Sequence, residues 1–280
     1  MQPIKNGLKG ISWKKVFLAI AAIGFMFVII AIDARIPRSA EQLSKYEQKT
    51  LPSISQPTGS LHVFVEPDDH MQTIYRAVAR AKQSIDIVIY ELADQKLEHL
   101  LAADAARGVS VRVILNKVQA FGTKTSPSQQ AAFDFLNSHG VQAQFSSEYF
   151  TYTHQKTIVI DDSTALIMTM NLASNYYATS RDFGVAISDP KDIAAIEKTF
   201  DADWSDKILA SQNADDLLWS PGAETAMIDI INRAQKTLDV YNEEMQDPDI
   251  TNALIAAAKR GVSVRVDMTY STTEKVLSIS

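Results

Sequence analysis

The chain has 280 residues, of which 46% are hydrophobic, and it carries a formal net charge of -6. This length and apolar content predict a globular protein with a buried core. The negative net charge argues against nucleic acid as the default partner, because tight binding of many phosphates requires clustered Lys and Arg. Cysteine is absent, which excludes disulfides and thiolate metal sites.

Residues 16–32 (VFLAIAAIGFMFVIIAI) form an uninterrupted, uncharged apolar run. The run has no polar stripe, and its length is at the lower limit for crossing a ~30 Å hydrocarbon core. It exceeds the apolar region of a typical cleaved signal peptide. We therefore predict a cytoplasmic segment and transmembrane anchor at residues 1–34. The lysines before the run outweigh the arginines after it, which predicts a single-pass membrane protein with an extracytoplasmic catalytic part.

The next segment, residues 35–60, is polar and contains three prolines, so it predicts a linker. Beyond it, apolar periodicity alternates between the strand and helix types. In chain order the pattern predicts a strand at 62–65, a helix opening after 69, a strand at 84–90, a helix at 95–106 and a strand at 109–115. This β-α-β-α-β order predicts a layered α/β domain with helices packed on a mostly parallel sheet.

An internal repeat organises the remainder of the chain. Residues 107–113 (RGVSVRV) recur letter for letter as residues 260–266, which lie 153 positions later. The same offset aligns residues 80–91 with residues 233–244 without a gap. A repeat of this kind predicts two copies of one α/β unit.

We place a complete unit at residues 61–205 and a partial second unit at residues 206–280. At the offset of the repeat, the counterpart of His154 would fall at about position 307, past residue 280. The second unit is therefore expected to lack its catalytic half.

Residues 152–171 (YTHQKTIVIDDSTALIMTMN) carry the candidate chemistry. His154 and Lys156 are two residues apart on a predicted strand, so both side chains project from the same face and can meet one phosphate. A turn at Asp161 and Asp162 returns the chain as a second strand. The hairpin is expected to gather a nucleophilic nitrogen, a cation, a hydroxyl and a carboxamide, and such a cluster needs no metal. The five motif residues are His154, Lys156, Asp161, Thr169 and Asn171.

Taken singly, each motif residue could equally belong to a turn or to a solvated strand face. Together, the five residues match the spacing of a single sequence motif. That spacing resembles the H-x-K-x4-D-x6-G-[ST]-x-N signature of the phospholipase D superfamily. Met168 stands where the family usually has Gly, and it is expected to crowd the phosphate pocket. The resemblance extends from about residue 60 to the end, and the two-unit layout resembles the duplicated architecture of the family.

The resemblance implies a role for each motif residue, and it implies neither a metal nor a cofactor. His154 would attack phosphorus to give a phosphohistidine, Lys156 and Asn171 would hold phosphoryl oxygens, Thr169 would add a hydroxyl contact, and Asp161 would support the hairpin or orient a histidine. An imidazole with an ordinary pKa near ~6.5 can act as a neutral nucleophile near neutral pH.

The favoured function is cleavage or transfer at a phospholipid, with the membrane as partner. The alternatives are an endonuclease of the same superfamily, with nucleic acid the less favoured substrate, and a membrane-tethered binding protein without turnover. Family chemistry uses a second histidine to protonate the leaving oxygen. That histidine is expected either from His154 of another copy in a homodimer or from a missing C-terminal second repeat.

Overall fold

The computed structural model describes residues 61–117, 125–207, 209 and 217–269. The strands are β1 (Leu61–Glu66), β2 (Ser84–Ile89), β3 (Leu92–Ala93), β4 (Ser110–Leu115), β5 (Gln142–Phe145), β6 (Lys156–Ile160), β7 (Thr164–Met168), β8 (Leu172–Ala173), β9 (Asp182–Ile187), β10 (Thr237–Asn242) and β11 (Ser263–Met268). The helices are α1 (Gln72–Ala79), α2 (Gln95–Ala106), α3 (Pro127–Ser138), α4 (Pro190–Trp204), α5 (Glu224–Arg233) and α6 (Pro248–Lys259). The strands and helices predicted before residue 116 are confirmed, with small shifts at their ends.

The central sheet has seven strands in the order β1-β9-β7-β6-β2-β4-β5. Only β2, β4 and β5 are parallel neighbours, whereas the other four pairings are antiparallel. The α/β class is confirmed, but the prediction of a mostly parallel sheet is wrong. The physical reason is the tight turn at residues 161–163, because a connection this short can join only antiparallel neighbours. The hairpin thus enters the sheet beside β2 in the opposite direction.

Both faces of the sheet are covered by helices. On one face, α1, α2 and α3 bury the apolar sides of β2, β4, β6 and β7 in the principal core. On the other face, α4 covers the sheet with Ile193, Ile196 and Phe200. Arg112 of β4 lies on this second face, where it pairs with Asp86 of β2 at 2.7 Å and stacks over the Phe200 ring at 4.6 Å. Burial on both faces holds the ends of the strands in fixed positions.

The repeat is visible in the structure as a second β-α-β element. The helices α2 and α6, and the parallel pairs β2–β4 and β10–β11, have matching bounds at the offset of 153. The cross-strand ion pair also recurs, because Arg265 of β11 contacts Asp239 of β10 at 2.6 Å. Residues 217–269 belong to the same compact unit of the chain as β1 to α4. The boundary between the two copies at residue 205 stays a prediction.

Among the described residues, no helix is both long enough and apolar enough to cross a membrane. This finding contradicts the single-pass membrane localisation, and that prediction is withdrawn. The run at 16–32 on which it rested, and the predicted linker at 35–60, lie outside the described residues.

Candidate active site

The candidate site lies where several strands end at one edge of the sheet. Ile89 at the end of β2 pairs with Lys156 at the start of β6, and Glu66 at the end of β1 pairs with Asp182 at the start of β9. Antiparallel neighbours place the carboxyl end of one strand beside the amino end of the next. The loops that follow β1, β2 and β7 therefore meet those that precede β6 and β9. Four of the five motif residues lie at this edge, and Asp161 does not.

His154 and Lys156 are in direct contact at the start of β6. The Lys156 Nζ lies 3.3 Å from the His154 Nδ1 and 3.4 Å from its Nε2, and it donates a hydrogen bond to the His154 carbonyl at 3.0 Å. The side chain of Tyr90, which follows β2, covers the pair from one side. Its ring centroid is 4.4 Å from that of His154 and 5.3 Å from the Lys156 Nζ. His154 is exposed, whereas Lys156 is only 7% exposed.

The surroundings change the proton affinity of both groups. Partial burial lowers the pKa of His154, and the positive charge of Lys156 lowers it further. Burial lowers the pKa of Lys156 to about 8, although the negative charges of Glu243 and Asp182 oppose this change. Near neutral pH the site therefore holds a neutral imidazole beside an ammonium ion. One group can act as a nucleophile and the other can neutralise a phosphoryl oxygen.

Buried amides hold the backbone that leads into the site. Gln129 of α3 is fully buried, and its side-chain nitrogen donates to the carbonyls of Tyr90 at 3.0 Å and Asn116 at 3.1 Å. The side-chain oxygen of Asn116 accepts the Thr153 N–H at 2.9 Å. The helix α3 therefore fixes both Tyr90 and the residue preceding His154.

The structure orients Thr169 and Asn171 differently. The Thr169 hydroxyl donates to the Asp182 Oδ1 at 2.7 Å and accepts the Phe183 N–H at 2.9 Å. Its hydrogen is thus directed at a carboxylate. The side-chain oxygen of Asn171 is buried and has no hydrogen-bond partner within the part of the chain that the structure describes. Asn171 therefore has unused hydrogen-bonding capacity at the edge where the site lies.

Asp161 lies at the opposite end of β6 from His154. Seven residues of mostly extended chain separate the two, a distance of roughly 20 Å. The Asp161 carboxylate accepts hydrogen bonds from three consecutive backbone N–H groups, those of Lys82, Gln83 and Ser84, at 2.7 to 3.1 Å. These bonds outweigh the effect of burial and lower the pKa of Asp161. Of the two roles implied for Asp161, this geometry favours support of the hairpin.

Met168, which stands where the family usually has Gly, is buried in the principal core. The register of β6 and β7 pairs Ile158 with Leu166, so the next pair on that face is Lys156 and Met168. The Met168 side chain is therefore part of the principal core, on the strand face that also carries Lys156.

Sequence reasoning missed Tyr90, Asp182 and Glu243. The side chain of Tyr90 follows a strand that the pattern did predict, but its contact with His154 depends on the pairing of β2 with β6. Asp182 begins β9, which was not predicted, and Glu243 comes from the second copy. The repeat contained one usable signal, because its offset aligns Tyr90 with Glu243. Within the described ranges, no group of three or more His, Cys, Asp or Glu side chains is arranged to hold a metal.

Comparison with known proteins identifies the family. A family model described as the PLD-like domain of cardiolipin synthase matches residues 74–204. This range contains all five motif residues and ends with α4. Residues 74–204 therefore form a domain of the phospholipase D superfamily.

This phospholipase D-like chain is 30% identical to cardiolipin synthase A of Shigella boydii serotype 4 (strain Sb227) over 136 residues. The match covers 45% of this chain and 28% of that relative, so the chain spans less than a third of the relative's length.

Two solved structures are also similar. Polyphosphate kinase of Porphyromonas gingivalis has a TM-score of 0.59 at 15% identity, covering 74% of this chain and 34% of its own. At this identity the likeness shows the fold alone. The phospholipase D family member Nuc of Salmonella typhimurium has a TM-score of 0.47 at 22% identity, covering 52% of this chain and 94% of its own.

Proposed function

We propose that this chain is a phosphodiesterase that cleaves or transfers a phospholipid through a phosphohistidine on His154. The observation that carries the proposal is the contact of His154 with the Lys156 ammonium, at 3.3 and 3.4 Å from its two ring nitrogens. A depressed pKa keeps the imidazole neutral, and the ammonium beside it attracts the phosphodiester to the nucleophile.

The proposed reaction has two displacements at phosphorus. In the first, a His154 ring nitrogen forms the P–N bond while one P–O ester bond breaks, and the departing oxygen takes up a proton. In the second, the oxygen of water or of an alcohol gives its proton to the group that had protonated the departing oxygen and forms a new P–O bond, while the P–N bond breaks. Lys156 and the side-chain NH2 group of Asn171 would hold the phosphoryl oxygens in both steps, because a phosphoryl oxygen accepts hydrogen bonds. Water as acceptor gives hydrolysis, and an alcohol gives phosphatidyl transfer.

The side chains near the site favour a lipid over nucleic acid. Two basic residues at this edge are engaged in ion pairs, Arg181 with Asp68 at 2.5 Å and Lys117 with Glu148. Asp182 places a further negative charge beside the site. An acidic rim disfavours a long polyanion, whose binding depends on basic side chains that are available to phosphates. The similarity to cardiolipin synthase A supports the same choice.

Exposed aromatic side chains add to this preference. Tyr149 is 57% exposed and Tyr152 is 42% exposed, and both precede His154 in the same loop. The Tyr152 ring lies against Tyr90, with 6.4 Å between centroids. Aromatic rings with a polar tip offer an apolar surface to the glycerol and acyl parts of a lipid.

The test compares substrates and uses His154→Gln as the matched variant. The full-length protein is incubated with phosphatidylglycerol in mixed detergent micelles, with single- and double-stranded DNA, and with bis(4-nitrophenyl) phosphate. We expect turnover of the lipid and of the synthetic diester, and loss of both in His154→Gln by a factor of at least ~10³. Circular dichroism of the variant should match the wild type, because His154 is exposed.

The outcomes separate the three functions. Cleavage of DNA without cleavage of lipid would identify an endonuclease. Saturable binding of lipid without turnover of any diester would identify a binding protein. Full activity of a folded His154→Gln variant would refute the nucleophile assignment. During turnover of lipid, an acid-labile and alkali-stable phosphoryl adduct on His154 should be detectable by mass spectrometry.

The source of the leaving-group proton is tested by mixing wild-type and variant chains. If a second copy of the chain supplies the second histidine, an excess of inactive His154→Gln chains should lower the activity of the wild type on mixing, because every heterodimer then lacks one of its two histidines. The loss must be accompanied by a dimer mass in light scattering. An active monomer whose activity is unchanged by the added variant would exclude the homodimer.

A further inference from the structure

The strand β10 of the second copy reaches the edge of the sheet where the site lies. The Tyr241 ring packs against the Phe183 ring, with 4.9 Å between centroids. Phe183 follows Asp182 in β9, and its N–H donates to the Thr169 hydroxyl. The end of β10 is therefore fixed next to residues that already surround the site, and Glu243 is the first residue after Asn242, which ends this strand.

In the second copy, Glu243 occupies the position that Tyr90 occupies in the first copy. Tyr90 follows β2 directly, as Glu243 follows β10, and the offset of 153 equates the two residues. Tyr90 contacts His154 and Lys156 from the side of the first copy. Glu243 is close enough to act on the same two residues electrostatically from the side of the second copy. Residues at equivalent strand ends of the two copies thus act on one pair of side chains.

We propose that the second copy completes the site by presenting the Glu243 carboxylate to His154 and Lys156 as a positioning residue. This inference rests on the proposed function, since it assigns Glu243 to the same site. The chemical need is clear: Lys156 is 7% exposed, and a buried ammonium requires a nearby negative charge to stay protonated.

The charged groups around the pair come from three elements. Lys156 itself lies on β6, Asp182 begins β9 and Glu243 follows β10, while the uncharged Tyr90 ring follows β2. Burial lowers the pKa of both His154 and Lys156, and the negative charge of Glu243 opposes this change. Removing its charge should therefore release the proton of each group at a lower pH.

The test is a histidine-ring NMR titration of the full-length protein. The chain has five histidines, and the His154 signal is assigned by its absence in His154→Gln. In Glu243→Gln we expect the His154 midpoint to move down by about 0.2–0.7 pH, the range for two partly exposed charges. The charge reversal Glu243→Lys should move it down further, and Glu243→Asp should stay closer to the wild type.

The matched control is Glu244→Gln, which removes the same charge one position along the chain. The Glu244 carboxylate accepts the side-chain N–H of Gln246 at 2.8 Å. This control should leave the His154 midpoint unchanged. The other four histidines report on folding, because their midpoints should be the same in all variants. An unchanged His154 midpoint in Glu243→Gln and Glu243→Lys, or an equal change in Glu244→Gln, would overturn the proposal.

A second measurement links Glu243 to turnover. With bis(4-nitrophenyl) phosphate, both limbs of the kcat/KM profile of Glu243→Gln should move to lower pH, whereas those of Glu244→Gln should not. If the wild-type chain turns over no diester, the proposed function fails, and the NMR titration still decides the role of Glu243. The two failures are thereby distinguishable.

Discussion

Replacement of Asp161 by Asn tests whether the third motif residue is structural or catalytic. In the folded protein its carboxylate accepts the N–H groups of Lys82, Gln83 and Ser84, which join the end of α1 to the start of β2. Its backbone φ of +52° lies in the left-handed region, which Asn also tolerates. The exchange thus keeps the Oδ1 acceptor and the backbone conformation, and it removes the charge and the second oxygen that accepts the Lys82 N–H.

The expected cost follows from these contacts. A hydrogen bond to a charged group is worth ~1.5–3 kcal/mol and one to a neutral group about 1 kcal/mol, so Asp161→Asn should lower the free energy of unfolding by about 1–2 kcal/mol. Asp161→Ala also leaves the donors without their acceptor, and Ala tolerates the left-handed region less well than Asp or Asn, which adds about 1–2 kcal/mol. Ala should therefore cost about 3–4 kcal/mol in total.

The assay is equilibrium unfolding in urea at pH 7, followed by circular dichroism, together with kcat/KM measured without denaturant. Because Asp161 is remote from His154, kcat/KM of Asp161→Asn should stay within about two-fold of the wild type. The pKa of Asp161 is lower in the folded state, so its contribution is present above the unfolded value of 3.8 and is lost as the pH falls through the folded value. The stability difference should accordingly vanish at low pH. A loss of kcat/KM of more than ten-fold with unchanged stability would refute this reasoning.

Three further predictions follow from the site and the core. For the wild type, kcat/KM should rise as His154 loses its proton, at a pH below the usual 6.5, and fall as Lys156 loses its proton at about 8; a rate that keeps rising to pH 10 would contradict the role of Lys156. Activity should survive dialysis against EDTA, because Lys156 supplies the positive charge at the phosphoryl group, and a strict requirement for added divalent ion would disprove this mechanism. Gly184→Ala should lower the free energy of unfolding by at least about 2–3 kcal/mol, since its Cβ would lie 2.0 Å from the Cζ of Phe64. Phe64→Ala should cost less stability in the Gly184→Ala variant than in the wild type, and a double-mutant cycle followed by urea unfolding measures this difference.

Elements with a strong local pattern could be predicted from the sequence. The hairpin of β6 and β7 was found because apolar residues alternate on both sides of a turn, and the end of α2 was found because Gly108, which has a positive φ, follows it. The direction of the strands could not be found in this way. The alternation of apolar and polar residues shows which side chains share a face of a strand. It does not show which other strand lies beside that strand, or in which direction.

The candidate site shows the same division. His154 and Lys156 were predicted because their positions two residues apart on one strand fix their relative orientation. Asp182 was not, because β9 follows a loop of several polar residues and reaches Thr169 only through its pairing with β7. Motif spacing also grouped Asp161 with the catalytic residues, although an extended strand carries it to the far end of the sheet.

The two copies of the β-α-β element raise a question about how the chain folds. The ion pairs Asp86–Arg112 and Asp239–Arg265 tie parallel strands in the same register, so they select the register but cannot tell β4 from β11 as the partner of β2. The number of residues between the strands distinguishes the two possible partners of β2. Ser84 pairs with Ser110, whereas the equivalent residue of β11 is Ser263, about seven times as far along the chain. Closing the longer loop costs roughly 2 kcal/mol more in entropy, so the native partner is selected by proximity while the chain collapses.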